Sequence, residues 1–305
     1  MTPLTGAQYE ISGGGYQATI TGLGAGLREL SYQGEPVIDG YQPDELPPGA
    51  AGELLLPWPN RVDEGRYTWG GETCQLDLSE PAARNAIHGL TRWATWHQVS
   101  RAPDAVQLAV TLLGRSGYPF CLEIDAGFQV TAAGLEVTVT ASNPGSRAAP
   151  YGLGAHPYLT AGLPRIDDCE LELPAQQWLP ADDRGIPAGP AREVAGTPAD
   201  FRARRAIGGT RLDHALTGLA RDSGGRAWAR LSGGGRQVAL WAGPGCGWLQ
   251  VFTGDTLGQP RGRRALAVEP MTCPPNAFAS GTDVLTVEPG GTVSHSWGIQ
   301  VTPDR

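Results

Sequence analysis

The chain has 305 residues, 40% of them hydrophobic, and is long enough to bury a sizeable core. Its formal charge is −8 and all 23 basic residues are arginine, which excludes a Schiff-base or P-loop lysine and argues against a nucleic-acid partner, whose binding draws on clustered positive charge. Cys74, Cys121, Cys169, Cys246 and Cys273 are odd in number and lack the close-pair spacing of zinc sites, so reduced thiols and no metal are expected.

The segment from Met1 to Gly6 carries no basic stretch followed by an apolar one, and no apolar run approaches the roughly 20 residues a membrane helix needs. The expectation is a cytoplasmic protein without a membrane partner. With 44 glycines and 26 prolines the chain is punctuated too often for long helices, which leaves short strands. Tyr16 to Leu30, broken by Gly22, Gly24 and Gly26, reads as a strand, a turn and a second strand. Gln42 to Gly52 and Pro180 to Pro198 lack any period and read as long surface loops. Arg66 to Leu76 alternates on both sides of Gly70-Gly71, a hairpin signal. Trp93 to Ser100 and Ala105 to Leu113 repeat it around Pro103-Asp104. Leu122, Ile124, Ala126, Phe128 and Val130, then Leu135, Val137 and Val139, give the clearest period of two. Ala227 to Leu231 and Gln237 to Trp241 flank a Gly-Gly-Gly turn, Gly247 to Thr253 adds a strand, and Val284 to Val287 with Val293 to Val301 predicts a closing pair around Pro289-Gly290-Gly291. The pattern is all-β and antiparallel, and it is unchanged across the two loops, so one domain over 1–305 is expected.

Several polar residues stand in restrained surroundings. In Leu56-Pro57-Trp58-Pro59-Asn60-Arg61, two prolines hold the chain extended ahead of Arg61, whose guanidinium fork suits a hydroxyl pair or a carboxylate. Trp58 is a candidate aromatic face for a sugar ring. His88 precedes Gly89, which permits close backbone approach. His156 lies between small residues and Pro157-Tyr158, and an imidazole titrating near pH 6.5 can deliver and regain a proton at neutral pH. Asp213 and Gln250 suit hydrogen bonding to hydroxyl groups, and equally a turn and a strand. His97 and His295 read as edge or packing positions. In Leu266-Ala267-Val268-Glu269-Pro270-Met271 one carboxylate stands in an apolar run that the proline is expected to stop, and loss of water raises a carboxylate pKa toward the range of a general base.

The ordered set Asn60-Arg61, Asn85-Ala86-Ile87-His88-Gly89, His156-Pro157-Tyr158, Leu212-Asp213-His214, Gln250 and Val268-Glu269-Pro270 resembles the aldose 1-epimerases, or galactose mutarotases, from about residue 8 to residue 301. The resemblance implies a large antiparallel β-sandwich, the galactose mutarotase-like supersandwich, with a small-molecule sugar in an open cleft on its concave face. It implies Glu269 as base, His156 as acid, and Arg61, His88, Asp213 and Gln250 as the residues that hold the sugar. The reaction, exchange of α and β anomers of a free aldohexose by ring opening and closure, requires neither metal nor organic cofactor. Pro157-Tyr158-Leu159 and Met271 depart from the better-known members and bear on which sugar is used. Two alternatives share the scaffold: an epimerase for hexose 6-phosphates, for which Arg84 and Arg92 are the nearby cations, and a sugar-binding or sensing protein without turnover. A glycoside hydrolase would need a second carboxylate, and only Asp213 offers one.

Overall fold

The computed structural model describes residues 3–304; Met1, Thr2 and Arg305, and with them the start of the N-terminal segment read above, lie outside the described residues. All named strand ladders are antiparallel, and two large sheets dominate. The nine-stranded sheet runs His97–Ala102, Ala105–Leu112, Leu122–Thr131, Gly134–Ser142, Thr292–Pro303, Arg236–Ala242, Ala227–Gly233, Glu170–Glu172, Arg205–Ala206. The eight-stranded sheet runs Arg192–Glu193, Gln177–Leu179, Asp213–Thr217, Trp248–Phe252, Leu266–Met271, Gly154–Ala155, Leu54–Leu55, with Tyr158–Leu159 also paired to Leu266–Met271. A four-stranded sheet of Gln8–Gly13, Tyr16–Thr21, Leu27–Tyr32 and Glu35–Pro36 precedes them.

Alternation explains how the two large sheets stack. In Leu122–Thr131, Leu122, Ile124, Ala126, Phe128 and Val130 are buried and the residues between them are not. Their side chains join Val238 and Leu240 of the same sheet and Leu249, Val251, Leu266 and Val268 of the other in one apolar cluster. Each such fully buried side chain is worth about 1.5–3 kcal/mol relative to exposure, which makes this cluster the main term holding sheet on sheet.

The turns expected at Gly70-Gly71, Pro103-Asp104 and Gly233 to Gly235 each close a hairpin. Four expectations are corrected. Leu285–Val287 pairs with Ala149–Tyr151, whereas Thr292–Pro303 inserts between Gly134–Ser142 and Arg236–Ala242. The intervening turn docks on Asn143, through Gly290 N to Asn143 O at 2.8 Å and Asn143 N to Gly291 O at 3.0 Å, and the long strand satisfies its backbone groups on both edges. Trp93 ends a 3-10 turn, Thr91–Trp93, and the strand begins only at His97. Pro270 does not stop its strand: Leu266–Met271 continues through it and is buried at every position. Gln42 to Gly52 ends in buried Ala50, Ala51 and Gly52, and Pro180 to Pro198 contains the strand Arg192–Glu193, so neither segment is simply a surface loop.

All five cysteines are free, and all but Cys121 are buried. His97 is exposed on an edge strand, and His295 lies half-buried against Tyr151. Among the described residues no helix is long and apolar enough to cross a membrane.

Candidate active site

Three neighbouring strands build one wall of a cleft. Along Leu266–Met271, Leu266 and Val268 enter the core between the sheets, while Ala267, Glu269 and Met271 face the other way. Along Trp248–Phe252, Leu249 and Val251 enter the core, and Gln250 stands in register with Glu269. Ala215 is in register with Gln250, and Asp213 lies two residues before it on the same face. Gln250 Nε2 donates to Asp213 Oδ1 at 2.6 Å, which ties the amide to the carboxylate.

The opposite wall is the two-stranded antiparallel ladder of Arg61–Asp63 and Asn85–Ile87, with Arg61 paired to Ile87 and His88 N donating to Asn60 O at 2.9 Å. Asn60 and His88 both adopt positive φ, 53° and 63°, so the chain reverses sharply at each. Gly89 follows at φ +72°, and a Cβ there would lie 1.9 Å from the Leu56 carbonyl oxygen, so only glycine permits this approach. His156 sits between two short strands and is tied by its backbone to the buried Glu53 segment, through His156 N to Glu53 O at 3.0 Å and Gly52 N to His156 O at 2.9 Å.

Arg61, His88, His156, Asp213, Gln250 and Glu269, all six residues singled out by sequence, line this one cleft of about 300 Å³. At its floor His156 Nε2 lies 3.3 Å from Glu269 Oε1, with side chains 7% and 2% exposed. Burial pushes the Glu269 carboxyl well above its ordinary value, Asp213 adds to the rise and Arg61 opposes it. Burial pushes the His156 imidazole down to about 3, with Arg92 contributing, and lowers His88 likewise with help from His156. The two imidazoles meet edge to face at 5.5 Å. Glu269 Oε2, Gln250 Oε1, His88 Nδ1 and His156 Nδ1 are buried with no hydrogen-bond partner among the described residues. Each such group costs about 1–3 kcal/mol, and their concentration in one cleft leaves several donors and acceptors there without a protein partner.

Three features escaped the sequence. Arg61 spends two of its three guanidinium nitrogens outside the cleft and leaves Nη1 for it: Nε and Nη2 donate to Glu80 Oε2 and Oε1 at 2.8 and 2.9 Å, and Asn85 Nδ2 holds Glu80 Oε2 at 3.0 Å. Tyr158 stacks on His156 at 5.0 Å and donates its hydroxyl to Gly49 O, while Arg92 enters the cleft paired to Glu53 at 2.7 Å. Glu53 carries the signal that picks out Glu269, one carboxylate in an apolar run, and burial raises it to about 7 against the pull of Arg92. Trp58, expected as a sugar platform, is instead 2% exposed and packs against Phe278, 5.5 Å between ring centroids. The backbone turns at Asn60, φ 53°, after the indole has entered the core, and Asn60 itself lines the cleft.

A β-sandwich with a polar cleft on one sheet, in which a carboxylate and an imidazole are buried side by side, is a galactose mutarotase-like fold. The chain superposes on an aldose epimerase homologue from C. elegans with a TM-score of 0.86 at 18% identity, covering 98% of this chain and 99% of that one. At the level of sequence it belongs to the aldose 1-epimerase family, whose model matches residues 7–300. It is 36% identical over 293 residues to the uncharacterized protein YihR of Escherichia coli (strain K12), covering 94% of this chain and 90% of that protein. The aldose 1-epimerase of the same strain is 26% identical over 216 residues, covering 65% of this chain and 62% of its own length.

Proposed function

We propose that the protein is an aldose 1-epimerase acting on a free aldohexose, with Glu269 and His156 as its proton-transfer pair and Arg61, His88, Asp213 and Gln250 holding the sugar. The observation that carries this reading is the 3.3 Å contact of Glu269 Oε1 and His156 Nε2 in a buried polar cleft. In the forward direction the Glu269 carboxylate takes the proton of the anomeric hydroxyl, the C1–ring oxygen bond breaks as the C1 carbonyl forms, and the His156 imidazolium protonates the ring oxygen. Rotation about C1–C2 presents the other carbonyl face, and the protons return as the ring closes. Each positioned transfer supplies about 10²- to 10⁴-fold.

The opposite pKa shifts are compatible with these roles. Burial favours a protonated Glu269 beside a neutral His156, whereas the reaction starts from a carboxylate beside an imidazolium. Both arrangements hold one proton, so they interconvert by moving it across the contact, with none exchanged with water. A sugar bringing hydroxyl dipoles to Glu269 and His156 favours the charged arrangement at the moment it is needed.

A 6-phosphate substrate is less well served. Arg61 is committed to Glu80 and Arg92 to Glu53, while Arg84 lies outside the cleft and pairs with Glu64. Polarimetry on freshly dissolved α-glucose and α-galactose tests the proposal: the protein is expected to speed the approach to the equilibrium rotation with at least one of them. No acceleration with either sugar would sink it.

A further inference from the structure

One short strand joins the segments that carry the two imidazoles of the cleft. Leu54 and Leu55 pair with Ala155 and Gly154, just before His156, while the next residue, Leu56, accepts through its O from Leu90 N at 2.6 Å and Thr91 N at 3.2 Å, just after His88. Glu53 leads into that strand and touches both segments. Its carbonyl accepts from His156 N at 3.0 Å, and its Oε2 lies 2.7 Å from Arg92 Nε. Arg92 belongs to the turn Thr91–Trp93 and lines the cleft with His88, His156 and Glu269. The Glu53 side chain is 1% exposed and that of Arg92 14%. Neither carboxylate oxygen of Glu53 meets a well-aligned hydrogen-bond donor among the described residues, so the nearby cation is what opposes the cost of its burial.

We propose that Glu53 is a positioning residue for the proton transfer: its carboxylate offsets the charge of Arg92 beside His156 and holds the turn bearing Arg92 against the segment bearing His156. The role rests on the epimerase reading above. A buried ion pair is weak support for a fold, since apolar side chains of similar volume often serve as well or better. This pair stands where its charge matters. The reaction needs a proton on His156; burial opposes that, and Arg92 adds to the opposition at both His156 and His88. An ionised Glu53 makes the pair neutral, whereas a protonated Glu53 leaves Arg92 as a lone cation beside the two rings. Burial raises the Glu53 carboxyl to about 7 against the pull of Arg92, so the change falls near neutrality. Tyr41 and Tyr158 also feel the Glu53 charge, but burial pushes Tyr41 up to about 12 and raises Tyr158 as well, so both stay neutral there. Arg28, which donates to Tyr41 O at 3.1 Å, is a fixed cation. His88 and His156 are held below their ordinary value and take up no proton from water in the same range.

The test measures kcat and KM of the full chain from about pH 5.5 to about pH 8.5, with whichever of glucose and galactose it turns over faster, in the wild type, in Glu53→Gln, and in Glu53→Gln joined to Arg92→Gln. At the alkaline end, where Glu53 is ionised, Glu53→Gln is expected to lower kcat about ten-fold with KM kept within about three-fold. The second substitution should raise kcat again by at least about three-fold, because it removes the cation that the first left alone. In the wild type kcat should fall as pH drops through about 7, and neither variant should show that fall. A purely structural tie predicts otherwise: a double variant no better than the single one, or a wild-type profile without that fall, would overturn the role, as would a loss confined to KM. Should Glu53→Gln not fold by circular dichroism, the double variant decides. Alkaline kcat within about three-fold of wild type and a flat profile through pH 7 support the role, and a loss of about ten-fold or a retained fall removes it. No turnover by the wild type would sink the epimerase reading and this role together, whereas an active wild type whose kcat is unaltered by Glu53→Gln overturns the role alone.

Discussion

Glu269 and His156 carry the proposal, and their substitution separates chemistry from binding. Glu269→Gln keeps the shape of the side chain and removes its ability to accept a proton, so kcat is expected to fall about 10²-fold or more while sugar affinity stays within a few-fold. Turnover near that of the wild type would remove Glu269 from the mechanism. The same pair makes a prediction about stability. Glu269 has a raised folded pKa, so its contribution is fully present below the ordinary glutamate value and is lost as pH rises through the folded one. His156 has a depressed folded pKa, so its contribution is present above about 6.5 and is lost as pH falls toward about 3. Between about pH 4.5 and 6.5 the unfolded chain holds its proton on the histidine and the folded chain on the glutamate. The counts are equal and the two slopes cancel. Glu269→Gln removes one of them, so the stability of the variant relative to wild type should fall between pH 6.5 and 4.5, by up to about 1.4 kcal/mol per pH unit for one uncancelled proton. Urea titrations of both proteins at the two pH values measure this, and a constant difference would show that the pair is not shifted in opposite directions. At this scale the sequence picks out six side chains that share one cleft and is a poor guide to their partners. It marked Glu269 by its apolar neighbours, yet that Arg61 is held by Glu80 depends on a turn nineteen residues away.

Elements place these residues, and the ladder of Arg61–Asp63 with Asn85–Ile87 positions Arg61 and His88. Glu80 stands just before the 3-10 turn Pro81–Ala83 and reaches back to grip Arg61 at Nε and Nη2. A bidentate pair of this kind fixes a guanidinium in angle as well as in place. Glu80→Gln keeps one hydrogen bond and loses the charge pairing, and should raise KM several-fold with kcat within about three-fold, because Arg61 is assigned to holding the sugar and not to proton transfer. Equal loss in kcat would move Arg61 into the chemistry, and unchanged kinetics would make Glu80 a matter of folding alone. Hairpins were the readable elements: Gly70-Gly71 and Pro103-Asp104 announce tight turns, and flanking alternation gives the buried face. The short strands Gly154–Ala155 and Tyr158–Leu159 were not readable, because two residues cannot display a period, and they are the pieces that hold His156.

For the whole molecule, the period of two says which face of a strand is buried but not which strand lies beside it. This is why Val284 to Val287 and Val293 to Val301 looked like a hairpin while their true partners lay in the middle of the chain. Those distant pairings have a thermodynamic consequence. Thr292–Pro303 runs between Gly134–Ser142 and Arg236–Ala242, and its Trp297, 1% exposed, lies in the apolar cluster that also takes in Ile11 and Leu266. Without that strand the nine-stranded sheet would part into four strands on either side, and the face of the other sheet bearing Glu269 and Gln250 backs onto the same cluster through Val268 and Val251. We therefore propose that the chain folds as one unit. Heating should give a single transition in which near-UV circular dichroism, reporting the tryptophans, coincides with far-UV circular dichroism, reporting the strands. Two separated transitions would divide the chain into independent units, and the site would then be expected to fail with whichever melts first.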